Sequence, residues 1–537
     1  MSLLRDKPVL VLLWLAASAG IGLTMASLDG VGLILQGWLA YSVLAAISFL
    51  LIYIVWKLIV ESDQAGWLFA VAVLAFLLRL GVGLAIYRAL PVYGYGEKAE
   101  RAGYVYWDAY KRDSDAYARA RGDSPLTSAF TDPKRSDQYG GLLFVSAGIY
   151  RYLGGQEHRP LLPVTLLSGI ASLSVIFAWG AGSRLFNNSV AKGAAWIMAV
   201  YPEAVLLSGS QMREPFLITA FAASVYGYFI LRDGEVRNGL IWILISIGVL
   251  TLPISPPFVA VIVVVLLLIW LWENRQLSGR SAAILLIGLV VLLLAGFFAA
   301  RAWSALEAIE GTPFEIVQAW LGNAVADWRI TRVSEQSVWI DTLLTDMPDA
   351  LQLPFLVLFG LVQPFLPAAL VAPGAVLWKS IAIWRSLGWF ILLPLLIYAT
   401  FASVRKLGWR HLNTFLISFV WVSALVASYR APSYQWDNPR YRASFLVIQA
   451  IVVAWAWWQG RKSEDPWLRH TLILFGGNTL IFTYWYLGRY TALPKLALLH
   501  NLVLIGLFTF VYLVAAAIIP KVRSRENGLQ ESERPGV

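Results

Sequence analysis

The chain alternates between long apolar runs and short polar connections. Apolar runs fall at about 8–28, 31–57, 66–90, 160–186, 189–209, 213–231, 237–253, 255–272 and 281–303, then at 384–402, 412–429, 443–460, 467–487 and 498–519. Most approach or exceed the ~20 residues that carry an α-helix across a bilayer. The pattern predicts an all-α, polytopic membrane protein with about 14 transmembrane helices. Two longer stretches interrupt it: a polar one at 91–159, crowded with acids and aromatic rings, and a mixed one at 304–383. Within the second, LQLPFLVLFGLVQPFLPAALV (351–371) is apolar enough to span, but Pro354, Pro364 and Pro367 break it. A full crossing there would also move the basic RKLGWRH (405–411) to the other side, so the segment reads as re-entrant or interfacial.

Basic residues fix the expected orientation. Arg5, Lys7, Lys57, Arg184, Lys192, Arg232, Arg237, Arg275 and Arg280 all fall at one set of alternate connections. Arg405, Lys406, Arg410, Arg461, Lys462, Lys521, Arg523 and Arg525 continue the series. By the positive-inside rule that side is cytoplasmic. The stretch 91–159, the turn near Gln211, the segment 304–383 and the loop 430–442 then share the outer face. The expected organisation is a helical pair at 1–65 and a transmembrane core at 66–303 with its first outer loop at 91–159. An outer segment at 304–383, C-terminal transmembrane helices at 384–520 and a cytoplasmic tail at 521–537 follow. The N-terminal MSLLRDK and the run behind it resemble a signal peptide, but the run is long and leads directly into another span, so it reads as a retained helix.

Composition agrees. The chain is 59% hydrophobic and 14% charged, against about 25% charged in soluble domains. Its 25 Trp and 23 Tyr suit two membrane–water interfaces. The net charge of +10 follows the cytoplasmic loops and gives no argument for nucleic acid. With no Cys, disulfides, thiol catalysis, thiolate metal sites and palmitoylation are excluded. The four His are scattered, with no HExxH-like pairing, which argues against a His-rich metal site. No Walker loop, GxGxxG or GxSxG elbow occurs.

Four places carry candidate chemistry. In WDAYKRDSDAYARA, Asp108 and Asp115 are seven apart and share a helix face, while Asp113 is rotated off it. An ionised carboxylate here, with Arg112 adjacent, would act as general base on a hydroxyl or hold a divalent cation on a phosphate. The plain alternative is a solvated amphipathic helix. In SGSQMREPF, Arg213 and Glu214 enter a span, where Glu214 would also serve as an ordinary acid in a first turn. In YRAPSYQWDNPRYRASF, Arg440 and Arg442 flank Tyr441 beside Asp437 and Asn438; paired guanidinium groups suit phosphate capture, and lipid anchoring is the alternative. Arg79 lies in the middle of AVAVLAFLLRLGVGLAIYRAL, where an ionisable residue needs a partner.

The arrangement resembles the GT-C superfamily of polyprenyl-phosphate-sugar-dependent glycosyltransferases. It looks closest to the branch of bacterial protein O-mannosyltransferases and aminoarabinose lipid A transferases. The likeness runs through FLLRL, RDSDAYARA (112–120), DQYGGLLFVSAGIYRYLGG (137–155) and the paired spans ending in SGSQMREPF, covering about 66–232. It implies a GT-C-like bundle in a bacterial plasma (inner) membrane, with the active site outside. The donor would be a polyprenyl-phosphate sugar and the acceptor a glycan, lipid or protein. Asp113 would be the base, with Asp108 and Asp115 as rivals; Arg213, Glu214, Arg440, Tyr441 and Arg442 would meet donor phosphate. Asp137, Tyr139 and His158 would contact substrate. Asp113 and Glu214 would hold a divalent cation (Mg or Mn) if one takes part. Trp320, Trp328, Trp339, Asp341 and Asp346 would cover the acceptor. A lipid-linked glycan polymerase or ligase shares such a platform, and a flippase or transporter is the alternative of another class; the latter predicts midplane polar sites in paired halves.

Overall fold

The structure is a computed structural model that describes residues 7–60, 66–132, 136–274, 286–294, 296, 297, 312, 315, 347–431 and 437–532. Its regular elements among these residues are helices, with no strand. α1 (Lys7–Leu28), α2 (Leu35–Ile59) and α3 (Gly66–Tyr93) are followed by α4 (Lys98–Arg101), α5 (Trp107–Arg121) and α6 (Gly141–Tyr152). The chain returns through α7 (Leu161–Leu185), α8 (Asn188–Val200), α9 (Pro202–Ser208), α10 (Glu214–Arg232), α11 (Val236–Leu244) and α12 (Pro256–Glu273). After 347 come α13 (Asp349–Val362), α14 (Leu366–Val371), α15 (Val376–Leu407) and α16 (Leu412–Arg430), then α17 (Asp437–Ala443), α18 (Leu446–Lys462), α19 (Pro466–Tyr490) and α20 (Leu498–Ser532). Among the described residues nine helices are long and apolar enough to cross a membrane, or eleven if each of two bent pairs is one span. The expected count of fourteen also draws on 281–303, of which only 286–294, 296 and 297 are described; Trp320, Trp328, Trp339, Asp341 and Asp346 lie outside the described residues. The segment 351–371 forms α13 and α14, a broken pair rather than one continuous helix.

α7 and α10 form the centre: 94% and 89% of their most apolar windows are buried, against 6% for α20. The sequence of α7 explains its place. Gly169, Ala171, Ser172, Ser174, Ala178, Gly180, Ala181 and Gly182 let neighbouring backbones approach closely. Its hydroxyls return to helix carbonyls, as in Ser172 to Ser168 O (2.7 Å), and Thr219 of α10 reaches Ile170 O (2.9 Å).

Arg79 sits fully buried in α3, and its partners are backbone. It donates to Ala75 O (3.0 Å) in its own helix and to Met198 O (2.7 Å) and Ala199 O (3.2 Å) at the α8–α9 bend. Pro202 has no N–H to give the carbonyl four residues back, so the bend leaves Met198 O open. In a bilayer such a carbonyl must be met from inside the protein, and Arg79 meets it. Replacing Arg79 by Leu orphans both carbonyls at the bend, at about 1–3 kcal/mol each. Thermal unfolding in nanodiscs should show a clear drop in Tm; an unchanged Tm contradicts this role.

The two ends of the bundle differ. One carries the surface pairs of Arg184 with Asp233 (3.0 Å) and Glu235 (2.8 Å), and the buried Asp465, paired with Lys406 (3.0 Å). The other carries α4–α6, the α9–α10 turn and α17, and it is where the charges gather.

Candidate functional site

α5 is an amphipathic helix laid against this second end. Its buried residues are Ala109, Arg112, Asp113 and Ala116, the small pair leaving room for the charged pair between them. Arg112 and Asp113 therefore face the protein, a hundred degrees apart on the helix, and each enters a different network.

Asp113 is completely buried and saturated. Tyr104 and Gln211 donate to its carboxylate, as does Tyr150, and His158 Nε2 lies 2.6 Å from Oδ2. A carboxylate offers about four lone-pair directions, and four donors take them. Burial first, then the adjacent carboxylate, push the Tyr104 and Tyr150 hydroxyls well above their ordinary range, so both stay protonated donors. His158 is one-third exposed and stacks on Tyr117 with centroids 4.3 Å apart. Asp113, the expected base, thus has its lone-pair directions occupied by donors from the protein itself. Its donors come from 9, 37, 45 and 98 residues away; Tyr104, Tyr150 and Gln211 carried no signal in the sequence.

The second network joins α5, the α9–α10 turn and α17. Arg440 Nε donates to Glu214, and Arg440 Nη1 lies 3.5 Å from Asp437 and 3.8 Å from Asp108. Arg112 Nη2 donates to Asp108 at 3.2 Å, with Nε 3.8 Å from Asp137. Burial and the nearby Arg213 lower the Arg112 pKa below its ordinary value. The Arg213 guanidinium lies over the ring of Tyr139, 5.4 Å from its centroid, and its Nη1 is buried with no hydrogen-bond partner among the described residues. Asp108 stands apart from the other acids: its side chain is 51% exposed, where Asp113 is at 0%. Arg112 of α5 and Arg440 of α17 thus both approach the open Asp108 carboxylate, and their other acidic partners are Asp137, Glu214 and Asp437.

Other expected site residues are placed elsewhere. Asp115 accepts from Ser136 N and Oγ, both at 3.0 Å, and ties the loop to itself. Asp137, expected to contact substrate, is buried and accepts from Leu142 N (3.1 Å) and Leu143 N (3.4 Å) at the start of α6. Arg442 does not join Arg440 in one phosphate grip. It is buried, lies 3.9 Å from the centroid of Trp389 and donates to Leu361 O (3.3 Å) and Gln363 O. Tyr441, between them, is half-buried. Asp113 and Glu214 enter separate networks: the first is surrounded by protein donors, and the second gives Oε1 to Arg440 while its Oε2 is buried with no hydrogen-bond partner among the described residues. Among the described residues no group of three or more acidic, His or Cys side chains is arranged to bind a metal.

Trp389 also walls an apolar cavity of about 450 Å³ between α13–α15, α19 and α20, lined by residues including Phe359, Val362, Phe390, Phe482 and Leu502. α17 is fastened to its rim: Asn438 donates to Gly360 O (2.9 Å), the carbonyl that Pro364 cannot serve.

No protein-family model matches the sequence, and no curated protein matches it. Among solved structures, one similar chain is the archaeal oligosaccharyltransferase AglB from Archaeoglobus fulgidus in complex with an inhibitory peptide and a dolichol-phosphate. It is 13% identical, with a TM-score of 0.36, over 86% of this chain and 56% of that one. Another is the A. fulgidus oligosaccharyltransferase in the apo form, 12% identical, with a TM-score of 0.38, over 85% and 55%. The chain thus spans little more than half the length of these proteins.

Proposed function

We propose that this chain is an integral-membrane glycosyltransferase of GT-C type, which moves a sugar from a polyprenyl-phosphate carrier to an acceptor hydroxyl on the outer face of the plasma membrane. One observation carries the reading: the half-exposed Asp108 carboxylate stands beside the Arg440 and Arg112 guanidinium groups, in a cluster that includes Arg213 at the same end of the bundle. The cavity walled by Trp389 suits part of an isoprenoid chain, and its rim is hydrogen-bonded to the helix that carries Arg440.

In this mechanism Asp108 takes the proton of the acceptor hydroxyl as that oxygen attacks the anomeric carbon. The bond from that carbon to the phosphate oxygen breaks, and the leaving polyprenyl phosphate keeps the electron pair. Positive groups aimed at the developing charge often supply most of the acceleration in such a transfer. Arg213, whose buried Nη1 has no hydrogen-bond partner among the described residues, meets the phosphate, and Arg440 contributes through the cluster. No step is routed through a metal ion.

Arg213→Gln should lower the rate of donor turnover by roughly 10²–10³-fold, the cost of removing one such donor elsewhere. Loss of radiolabelled polyprenyl-phosphate sugar by protein in nanodiscs measures this without knowledge of the acceptor, because water serves as a slow one. Wild-type turnover by a folded Arg213→Gln protein would remove Arg213 from the phosphate site.

A further inference from the structure

The helical pair α1–α2 precedes the first loop, and no part of the mechanism above uses it. Its contact with the rest of the molecule is nonetheless specific and charged. Asp29, at the turn between the two helices, is buried; its Oδ1 accepts from Val31 N (3.0 Å) and its Oδ2 from Tyr41 OH (3.1 Å) and from Arg159. Arg159 gives its second Nη to Gly32 O (2.9 Å) and is 1% exposed. Two glycines make the approach possible. A Cβ on Gly37 would lie 2.5 Å from the Arg159 guanidinium carbon, and one on Gly155, whose φ is +67°, would overlap the Gln36 side chain. The start of α2 and the end of the loop are therefore fitted to each other.

Arg159 has neighbours that matter. His158 holds Asp113 of α5, and Pro160 O accepts from Gln211 (2.9 Å), two residues before Arg213. Three consecutive residues thus hold the helical pair, the helix that carries Asp108 and the turn that carries Arg213. A buried charged pair of this kind is weak evidence for stability, since apolar residues of similar volume often serve as well. What it adds is one fixed geometry.

We infer that Asp29 and Arg159 are positioning residues, through which the α1–α2 pair sets the height and angle of α5 and of the α9–α10 turn at the site. The kinetic part of this inference rests on the transferase reading; the geometric part does not.

The chain has no Cys, so spin labels can be placed at will. Leu33→Cys and Asp123→Cys put labels on the exposed α1–α2 turn and just beyond α5. In the full-length protein in nanodiscs the pair should give one narrow distance distribution. Asp29→Asn and Arg159→Met should broaden or shift it. Per folded molecule, they should also lower kcat roughly ten- to a hundred-fold, the scale of an ångström's misplacement, with donor KM within about twofold. A purely stabilising contact would change the folded fraction and leave both the distribution and kcat per folded molecule at wild type; that result overturns the inference. If either variant fails to fold, Tyr41→Phe, which removes one hydrogen bond to Asp29, should broaden the distribution less, and an unchanged distribution overturns the inference equally. Label distances that move in a protein with no sugar transfer would defeat the transferase reading and keep the coupling.

Discussion

Asp108→Asn should slow sugar transfer by roughly 10²–10⁴-fold, the usual contribution of a positioned general base, and leave the fold intact. The expectation follows from exposure and pairing together. Asp108 is half open to solvent, and its contacts are Arg112 at 3.2 Å and Arg440 at 3.8 Å. Neither needs Asp108 to stay buried or paired: Arg112 keeps Asp137, and Arg440 keeps Glu214 and Asp437. Replacing one exposed oxygen by an amide costs little, since exposed pairs contribute about 0–1 kcal/mol. A slowed, folded, donor-binding variant locates the proton acceptor. Donor affinity should change far less than turnover, because in the proposed mechanism the carboxylate acts on the acceptor and not on the phosphate.

Asp113→Asn should behave in the opposite way, loosening α5 and the end of the bundle it packs on rather than stopping chemistry alone. An amide in that cage turns an acceptor into a donor, facing hydroxyl and amide groups that also donate. Losing two charge-assisted hydrogen bonds at about 1.5–3 kcal/mol each puts the cost at roughly 3–6 kcal/mol. Thermal unfolding should fall sharply, and turnover should follow the folded fraction. A folded Asp113→Asn protein of wild-type Tm, inactive in transfer, would restore Asp113 as a reacting group.

The contrast between these two acids shows what the sequence could and could not convey. Hydropathy placed nearly every long helix, because a bilayer forces apolar side chains outward and closes backbone hydrogen bonds within each helix. Alternating basic loops put the first polar loop, the turn at 211 and the stretch before α18 at one end, and among the described residues α5, Glu214 and α17 do meet, through Arg440. Spacing also set Asp113 off the face shared by Asp108 and Asp115. Which face turns inward was harder to see, although Ala109 and Ala116, seven residues apart, mark it by their size. The partnerships across the bundle had no local signature: Glu214 meets Arg440 across 226 residues and Arg112 meets Met212 across 100. Two adjacent-looking arginines, Arg440 and Arg442, part company because α17 is a helix bent 78° from α18. On its seven residues a two-residue step rotates a side chain by about 200°, sending one toward the cluster and the other to Trp389.

We propose that the cluster around Asp108, Arg213 and Arg440 transfers a sugar from a lipid phosphate. This is tested most directly by presenting purified wild-type and Asp108→Asn protein in nanodiscs with a panel of radiolabelled polyprenyl-phosphate sugars and a broad mixture of glycan, lipid and protein acceptors. At least one donor should be consumed by the wild type, with label appearing in an acceptor, and the folded variant should be slower by about two orders of magnitude or more. Equal consumption by the two proteins would contradict the assignment of Asp108. Consumption by neither, with folding intact, would contradict the transferase itself.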